Sequence, residues 1–333
     1  MADTAYHRVL QAYPPDCQPH HADYLAGAGG FSGARFWRLQ TDRGLLCLRR
    51  WPQERPSRQQ LEFIQAVLWH VRQEGFERLP LPLETRTHAG YVCEAGHFWE
   101  LAPWMPGQAD YLQAPNSARL RAALRTLAEF HLAAASFPLP DRSPGLSPGI
   151  GERIERARAW SHAQLQRLAE AVEPGEWPEL AHRGRQWLAL APTALERLRP
   201  ALARAELIAT PLQPCIRDVW HDHVLFVGDD VSGLVDFGAM QPDSVAADIA
   251  RLLGSLARDD RQAWTTGLAA YESVRALSEP ERTLIPVFDQ ANTVMSGLNW
   301  LQWVYLDRRQ FDNRQAVMQR LDGNLPRLAL LAA

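Results

Sequence analysis

The stretch Cys215–Gly238, CIRDVWHDHVLFVGDDVSGLVDFG, decides how this chain is read. Its second half holds two strand-like runs, HVLFVG and VSGLVDFG, joined through Gly228, Asp229 and Asp230 in the pattern of a hairpin. Its first half puts Asp218, Trp220, His221 and His223 where a plain surface loop favours glycine, serine and asparagine. Asp218 and Asp236 each stand at a strand end, eighteen positions apart.

Outward from this segment the chain changes character. Residues 25–51 read as two or three short strands joined by glycine-rich turns, with alternation in ARFWRLQ and a turn at TDRG. Ser57 and Gln60 have the spacing of a capping box, and Leu61, Ile64, Leu68 and Val71 then recur on one helical face. GYVCEAG and HFWELAPW add strand signals before Pro106 and Gly107. From Asn116 the period is helical, interrupted by the loop FPLPDRSPGLSPG, with further helices near 151–173 and 179–207 and after the hairpin. The expectation is an α+β chain: a β-rich part over residues 1–104 and a mainly helical part over 105–333.

Composition sets bounds on function. An apolar share of 46% with 22% charged residues over 333 positions is that of a soluble globular protein. The chain has no lysine and a net charge of −3, so no nucleic-acid partner is expected, and phosphate must be held by arginine, histidine, backbone N–H or a metal. The opening residues lack a basic start followed by an apolar segment, and no run has bilayer length, so a cytoplasmic protein without a membrane partner is expected. Cys17, Cys47, Cys93 and Cys215 are scattered, which argues against a zinc knuckle or a disulfide framework.

Two aspartates at neighbouring strand ends suit phosphoryl transfer. One carboxylate accepts or orients the proton of an attacking hydroxyl, and the other holds the metal that bridges nucleotide phosphates. On these residues the segment resembles the catalytic core of the aminoglycoside phosphotransferase and choline kinase group, which has a two-lobed protein-kinase-like fold. The resemblance implies a small β-rich N-lobe over residues 1–104 that binds ATP and a larger helical C-lobe over 105–333 that binds a small-molecule acceptor. It makes Asp218 the catalytic aspartate and Asp236 the main magnesium ligand.

The resemblance also assigns the remaining site. GGFSGARFWRL is similar to the glycine-rich turn, so backbone groups of Gly29, Gly30 and Ser32 are expected at phosphate. LLCLRRW is similar to the strand that supplies the phosphate-binding cation, here Arg49, and Glu62 matches the helix acid that pairs with it. FWELAPWMPG looks like the linker whose backbone near Glu100, Leu101 and Ala102 takes adenine, and Asp248 matches the residue that braces the catalytic loop.

Four positions depart from the family pattern. Ile216 and Arg217 replace the histidine and glycine before the catalytic aspartate, Trp220 stands where a small or polar residue is usual, and His223 replaces the metal-binding asparagine. Imidazole suits manganese better than magnesium, so Mg2+ and Mn2+ are both candidates. Two readings therefore compete: an ATP-dependent phosphotransferase acting on a hydroxyl of a small molecule, with antibiotics, choline-like amines, sugars, amino-acid alcohols and protein hydroxyls all open as acceptors, and a catalytically impaired kinase-like binding or regulatory module. For the acceptor, Asp289, Asn292, Ser296, Asn299 or Trp300, Trp303 and Asp307 form a polar and aromatic stripe at near-helical spacing that suits a binding wall, although aromatic residues so spaced more often pack in a core.

Overall fold

The computed structural model describes residues 5–26, 33–140, 143–173, 175, 177–311 and 313–333. In chain order, α1 (Ala5–Leu10) leads into strands β1 (Pro19–Tyr24), β2 (Arg35–Thr41) and β3 (Gly44–Arg50), then α2 (Arg58–Gln73), β4 (Val92–Glu94), β5 (His97–Pro103) and α3 (Ser117–Ala134). The middle holds β6 (Gly145–Leu146), α4 (Pro148–Ala159), α5 (His162–Ala171), α6 (Pro178–Ala205), β7 (Ala209–Thr210) and β8 (Gln213–Cys215). The expected hairpin is β9 (Val224–Val227) and β10 (Asp230–Leu234), paired with Asp230 opposite Val227. Strand β11 (Gln241–Asp243) and helices α7 (Val245–Ala257), α8 (Arg261–Glu272), α9 (Glu279–Leu301) and α10 (Arg314–Ala332) complete the chain.

Packing divides these elements into two compact units, Met1–Phe137 with His221–Met240, and Pro138–Trp220 with Gln241–Ala333. The break read from the sequence after residue 104 follows the chain, whereas packing puts α3 and the hairpin with the sheet. The cause is that α3 lies against α2 and β10.

The first unit is built on an antiparallel sheet in the order β1-β2-β3-β5-β4. Alternation sends Trp37, Leu39, Leu46, Leu48, Trp99 and Leu101 into one core with Val9, Leu10 and Tyr13. Each such buried apolar side chain contributes roughly 1.5–3 kcal/mol. The opposite phase of β3 and β5 carries Cys47, Arg49, Glu100 and Ala102, with Arg49 directly opposite Glu100. Helix α2 starts at Ser57, whose Oγ accepts from Gln60 N–H at 3.2 Å. Only that half of the expected box forms, because the Gln60 side chain donates instead to the Gly238 carbonyl at 3.4 Å.

The second unit is helical, with α6, α7, α9 and α10 packed on one another and two short strand pairs, β8 with β11 and β6 with β7. Trp187 of α6 is fully buried against Gly297 of α9, where any Cβ would run into the indole ring. Helix α9 opens with a capping box between Ser278 and Glu281. Most of the proposed acceptor stripe is consumed in this packing. Asp289 pairs with Arg327 at 2.7 Å, Asn292 accepts from Arg153 at 2.7 Å, and Ser296 accepts from Asn324 at 3.3 Å. Trp300 is buried edge-on to Trp303, with ring centroids 4.9 Å apart.

Candidate active site

In the first unit, Trp51 directly follows β3 and continues its hydrogen bonding to β5 through its N–H to the Phe98 carbonyl at 2.9 Å, two residues beyond Arg49. The Arg49 Nη2 donates to Asp236 Oδ1 at 3.0 Å, and its guanidinium lies 3.4 Å from the Trp51 ring centroid and 5.3 Å from that of Phe36. Such stacking suits the flat, weakly hydrated guanidinium better than an ammonium, which gives a physical reason for arginine at this position.

Asp236 follows β10 in a left-handed conformation, φ +62°, which a non-glycine residue holds only where its surroundings enforce it. Its Oδ2 lies 3.7 Å from His223 Nε2. Burial opposes the carboxylate charge, but Arg49 first and His223 second outweigh it, and the carboxyl is held below the ordinary carboxylate range. The turn is fixed from both sides: Phe237 packs on Phe130 with centroids 5.7 Å apart, and a Cβ at Gly238 would come within 3.0 Å of the Trp51 ring.

In the second unit, the segment before Asp218 is held through its backbone. The N–H groups of Ile216 and Arg217 donate to the two oxygens of Asp248 at 2.7 and 2.5 Å, and Asp248 is fully buried in the first turn of α7. This is the bracing that the resemblance implies. Arg217 has φ +68°, so the family's glycine at this place is understandable on backbone grounds. Here the guanidinium compensates, with bonds to Glu152 at 2.5 and 3.1 Å and to Gln241 at 3.2 Å, and with Asp243 Oδ2 at 3.4 Å. The Asp218 carboxylate is about half exposed, and both Nε and Nη2 of Arg251 lie 3.0 Å from its Oδ1. Trp220 is buried, flanked by the guanidinium groups of Arg320 at 4.1 Å and Arg251 at 5.5 Å.

Arg49, Asp236 and His223 are thus brought together. Gly29, Gly30 and Ser32 lie outside the described residues. Glu62 is not the partner of Arg49: it is exposed on α2 and accepts from the Tyr91 hydroxyl at 2.9 Å, while Asp236 takes the arginine. Glu100, Leu101 and Ala102 are interior strand positions rather than a linker. The pairing of β5 with β3 runs on to Pro103, and the Leu101 carbonyl already accepts from Leu83 N–H at 2.7 Å. The Glu100 side chain is buried and accepts from Gln65 Nε2 at 2.6 Å and from Trp51 Nε1.

Sequence reasoning missed Trp51, Gln65 and Arg251. Two of the three carry a spacing signal: Trp51 stands two strand positions after Arg49, and Arg251 three helical positions after Asp248. The metal expectation passes a test of donor chemistry. A carboxylate oxygen and an imidazole nitrogen 3.7 Å apart are close enough to share one cation, and the pair suits an ion that accepts both donor types. Among the described residues no helix is long and apolar enough to cross a membrane.

Comparison with known proteins shows the family and the fold. The sequence profile of the phosphotransferase enzyme family matches residues 23–286. A homoserine kinase of Methylorubrum populi is 31% identical over 297 residues, covering 86% of this chain and 81% of that protein. Among solved structures, a spectinomycin phosphotransferase in complex with ADP and spectinomycin superimposes with a TM-score of 0.69 at 12% identity, over 99% of this chain and 98% of that one. An amicoumacin kinase in complex with AMP-PNP and Ca2+ gives 0.68 at 13% identity, over 97% and 92%. With a sheet-based part, a helical part and the Asp-Phe-Gly turn in place, the fold is protein-kinase-like, and the chain belongs to the phosphotransferase enzyme family, whose members transfer a phosphoryl group to a hydroxyl acceptor.

Proposed function

We propose that this protein is an ATP-dependent kinase that moves the γ-phosphate to the hydroxyl of a small amino-bearing alcohol, with homoserine as the acceptor. The observation that carries the kinase reading is Asp236, held in a left-handed turn with a stacked arginine on one oxygen and an imidazole near the other. The acceptor class rests on the homoserine kinase relative, which is similar to this chain over most of both lengths.

In this reading Arg49 binds the nucleotide phosphates with its planar donors, and Asp236 with His223 holds the divalent cation. When bound, that cation neutralises charge on the phosphate oxygens. Asp218 accepts the proton of the acceptor hydroxyl as its oxygen bonds to the γ-phosphorus and the bond to the ADP oxygen breaks. Arg251 orients the Asp218 carboxylate, and Asp248 fixes the backbone that presents it. This bracing also favours turnover over an impaired scaffold: the two N–H groups that Asp248 needs are supplied in spite of the Ile216 and Arg217 replacements.

The test is a coupled assay of ADP release with magnesium or manganese over homoserine, choline, ethanolamine and an aminoglycoside, with product identified by phosphorus NMR. Phosphohomoserine formed by the wild type and lost in Asp218→Asn supports the proposal. Transfer to another acceptor alone would overturn homoserine, and metal-independent nucleotide binding without transfer to any acceptor would overturn the kinase reading.

A further inference from the structure

The helix acid expected beside Arg49 is turned away from it, yet a buried carboxylate does stand on that face. Glu100 lies directly opposite Arg49 in the β3–β5 ladder, so their side chains share one side of the sheet, and it is only 8% exposed. Its two oxygens have separate donors. Gln65 Nε2 reaches Oε1 at 2.6 Å from α2, where the same nitrogen also meets the Gly90 carbonyl at 3.0 Å, and Trp51 Nε1 donates to Oε2.

Trp51 is the piece that converts this anchor into geometry at the site. Its ring faces the Arg49 guanidinium at 3.4 Å and also covers Gly238, leaving no room there for a Cβ. Rotating the indole would therefore disturb both the cation and the turn that carries Asp236. Holding a buried carboxylate for packing alone is unfavourable, since an amide of the same shape fills the space without the desolvation cost of a charge. Burial does push the Glu100 carboxyl up, with Gln65, then Arg49, then Trp51 acting against it. A carboxyl kept at such a place has its explanation in what it orients.

From this arrangement we infer that Glu100 is a positioning residue that acts through Trp51: it fixes the plane of the Arg49 guanidinium and the seat of the Asp-Phe-Gly turn, the task that Glu62 does not perform here. The inference rests on the reading of Arg49 as the phosphate-binding cation. A second copy of the acid on α2 is unnecessary, because Gln65 delivers the helix's contribution as a neutral donor.

The experiment compares wild type, Glu100→Gln, Trp51→Phe and Glu62→Gln by calorimetric titration with ADP and magnesium chloride, by melting temperature, and by NMR of indole and arginine N–H groups. Glu100→Gln should melt no lower than wild type, yet bind ADP about tenfold more weakly, the loss expected when a desolvated, oriented guanidinium is released. Trp51→Phe should lose about as much, and it assigns the Trp51 indole resonance, which should move upfield in Glu100→Gln. Glu62→Gln should bind within about twofold of wild type. ADP binding unchanged in Glu100→Gln, or a loss matched by a lower melting temperature, overturns the inference. If wild type binds no nucleotide, the proposed function falls, and the Arg49 Nε–H signal decides the positioning role. A signal that is sharp in wild type and motionally averaged in Glu100→Gln supports it, and an identical signal in both overturns it.

Discussion

The two acidic centres are held in opposite ways. Asp236 is gripped by side chains: Arg49 bonds one oxygen, His223 stands near the other, and Trp51 and Phe130 pack the residues that follow. Asp218 is gripped by backbone: a single buried carboxylate, Asp248, fixes the two peptide groups before it, and the Asp218 side chain itself stays half exposed. The two carboxylates differ little in exposure, about two fifths for Asp236 and about half for Asp218, so what separates them is how each is held: in the proposed function the metal-binding centre is fixed by its side-chain partners, and the one that meets the acceptor hydroxyl is fixed at its root.

The comparison breaks most visibly in turnover. Asp218→Asn should lower kcat by ~10²–10⁴-fold, the usual worth of a general base, while leaving ADP binding close to wild type. Asp236→Asn should instead abolish the metal dependence of ADP binding in the same calorimetric titration. If the two variants behave alike, the division of labour between the two centres is wrong.

Stability separates them next. Arg217→Gly relieves a left-handed arginine, a gain of about 1 kcal/mol, but removes the cation beside fully buried Asp243, a loss of about 3 kcal/mol. A net destabilisation of about 2 kcal/mol in urea unfolding is expected. A variant more stable than wild type would show that the backbone strain outweighs the ion pairs.

The centre around Arg49 should also show two opposite pH signatures. Asp236 is held below its ordinary value of 3.8, so the stability it contributes is complete above that pH and is lost as pH falls through the lower folded value. Glu100 is raised above 4.5, so its folded form keeps a proton that the unfolded chain gives up, and stability falls as pH rises through that window. Unfolding free energies measured from acid to pH 8 should therefore make Glu100→Gln gain on wild type as pH rises above 4.5, and make Asp236→Asn fall behind wild type as pH rises toward 3.8 and keep a constant deficit above it. Curves that run parallel to wild type in both variants would remove the charge assignment.

The smallest expected change sharpens the metal ligand. His223→Asn restores an oxygen donor, so the ratio of manganese-supported to magnesium-supported ADP binding should fall by a few-fold, on the order of a tenfold change at most. An unchanged ratio would place His223 outside the metal's ligands.

Much of the site was legible because it is local. The hairpin, its Gly228 turn and the strand-end aspartates follow from short spacings, and the bracing Asp248 was implied by the resemblance. Failures occurred where a role depends on which face meets which. Glu62 and Gln65 both lie on α2, three positions apart, and only the docking of that helix selects Gln65 for the sheet. In the same way Glu100 looked like linker backbone, because the end of a strand is set by the partner it pairs with and not by its own residues.

By itself the sequence determined the order of elements, the absence of lysine that leaves phosphate to arginine, histidine, backbone N–H or a metal, and the pair of aspartates that suits phosphoryl transfer. Tertiary structure alone decided which acid serves Arg49, how an arginine is tolerated at φ +68° before Asp218, and why most of the stripe along α9 is spent on packing. The physical reason is range. Periodicity and turn chemistry act over a few residues, whereas the pairing of a buried charge is settled by desolvation, and only the folded chain determines which partners reach it.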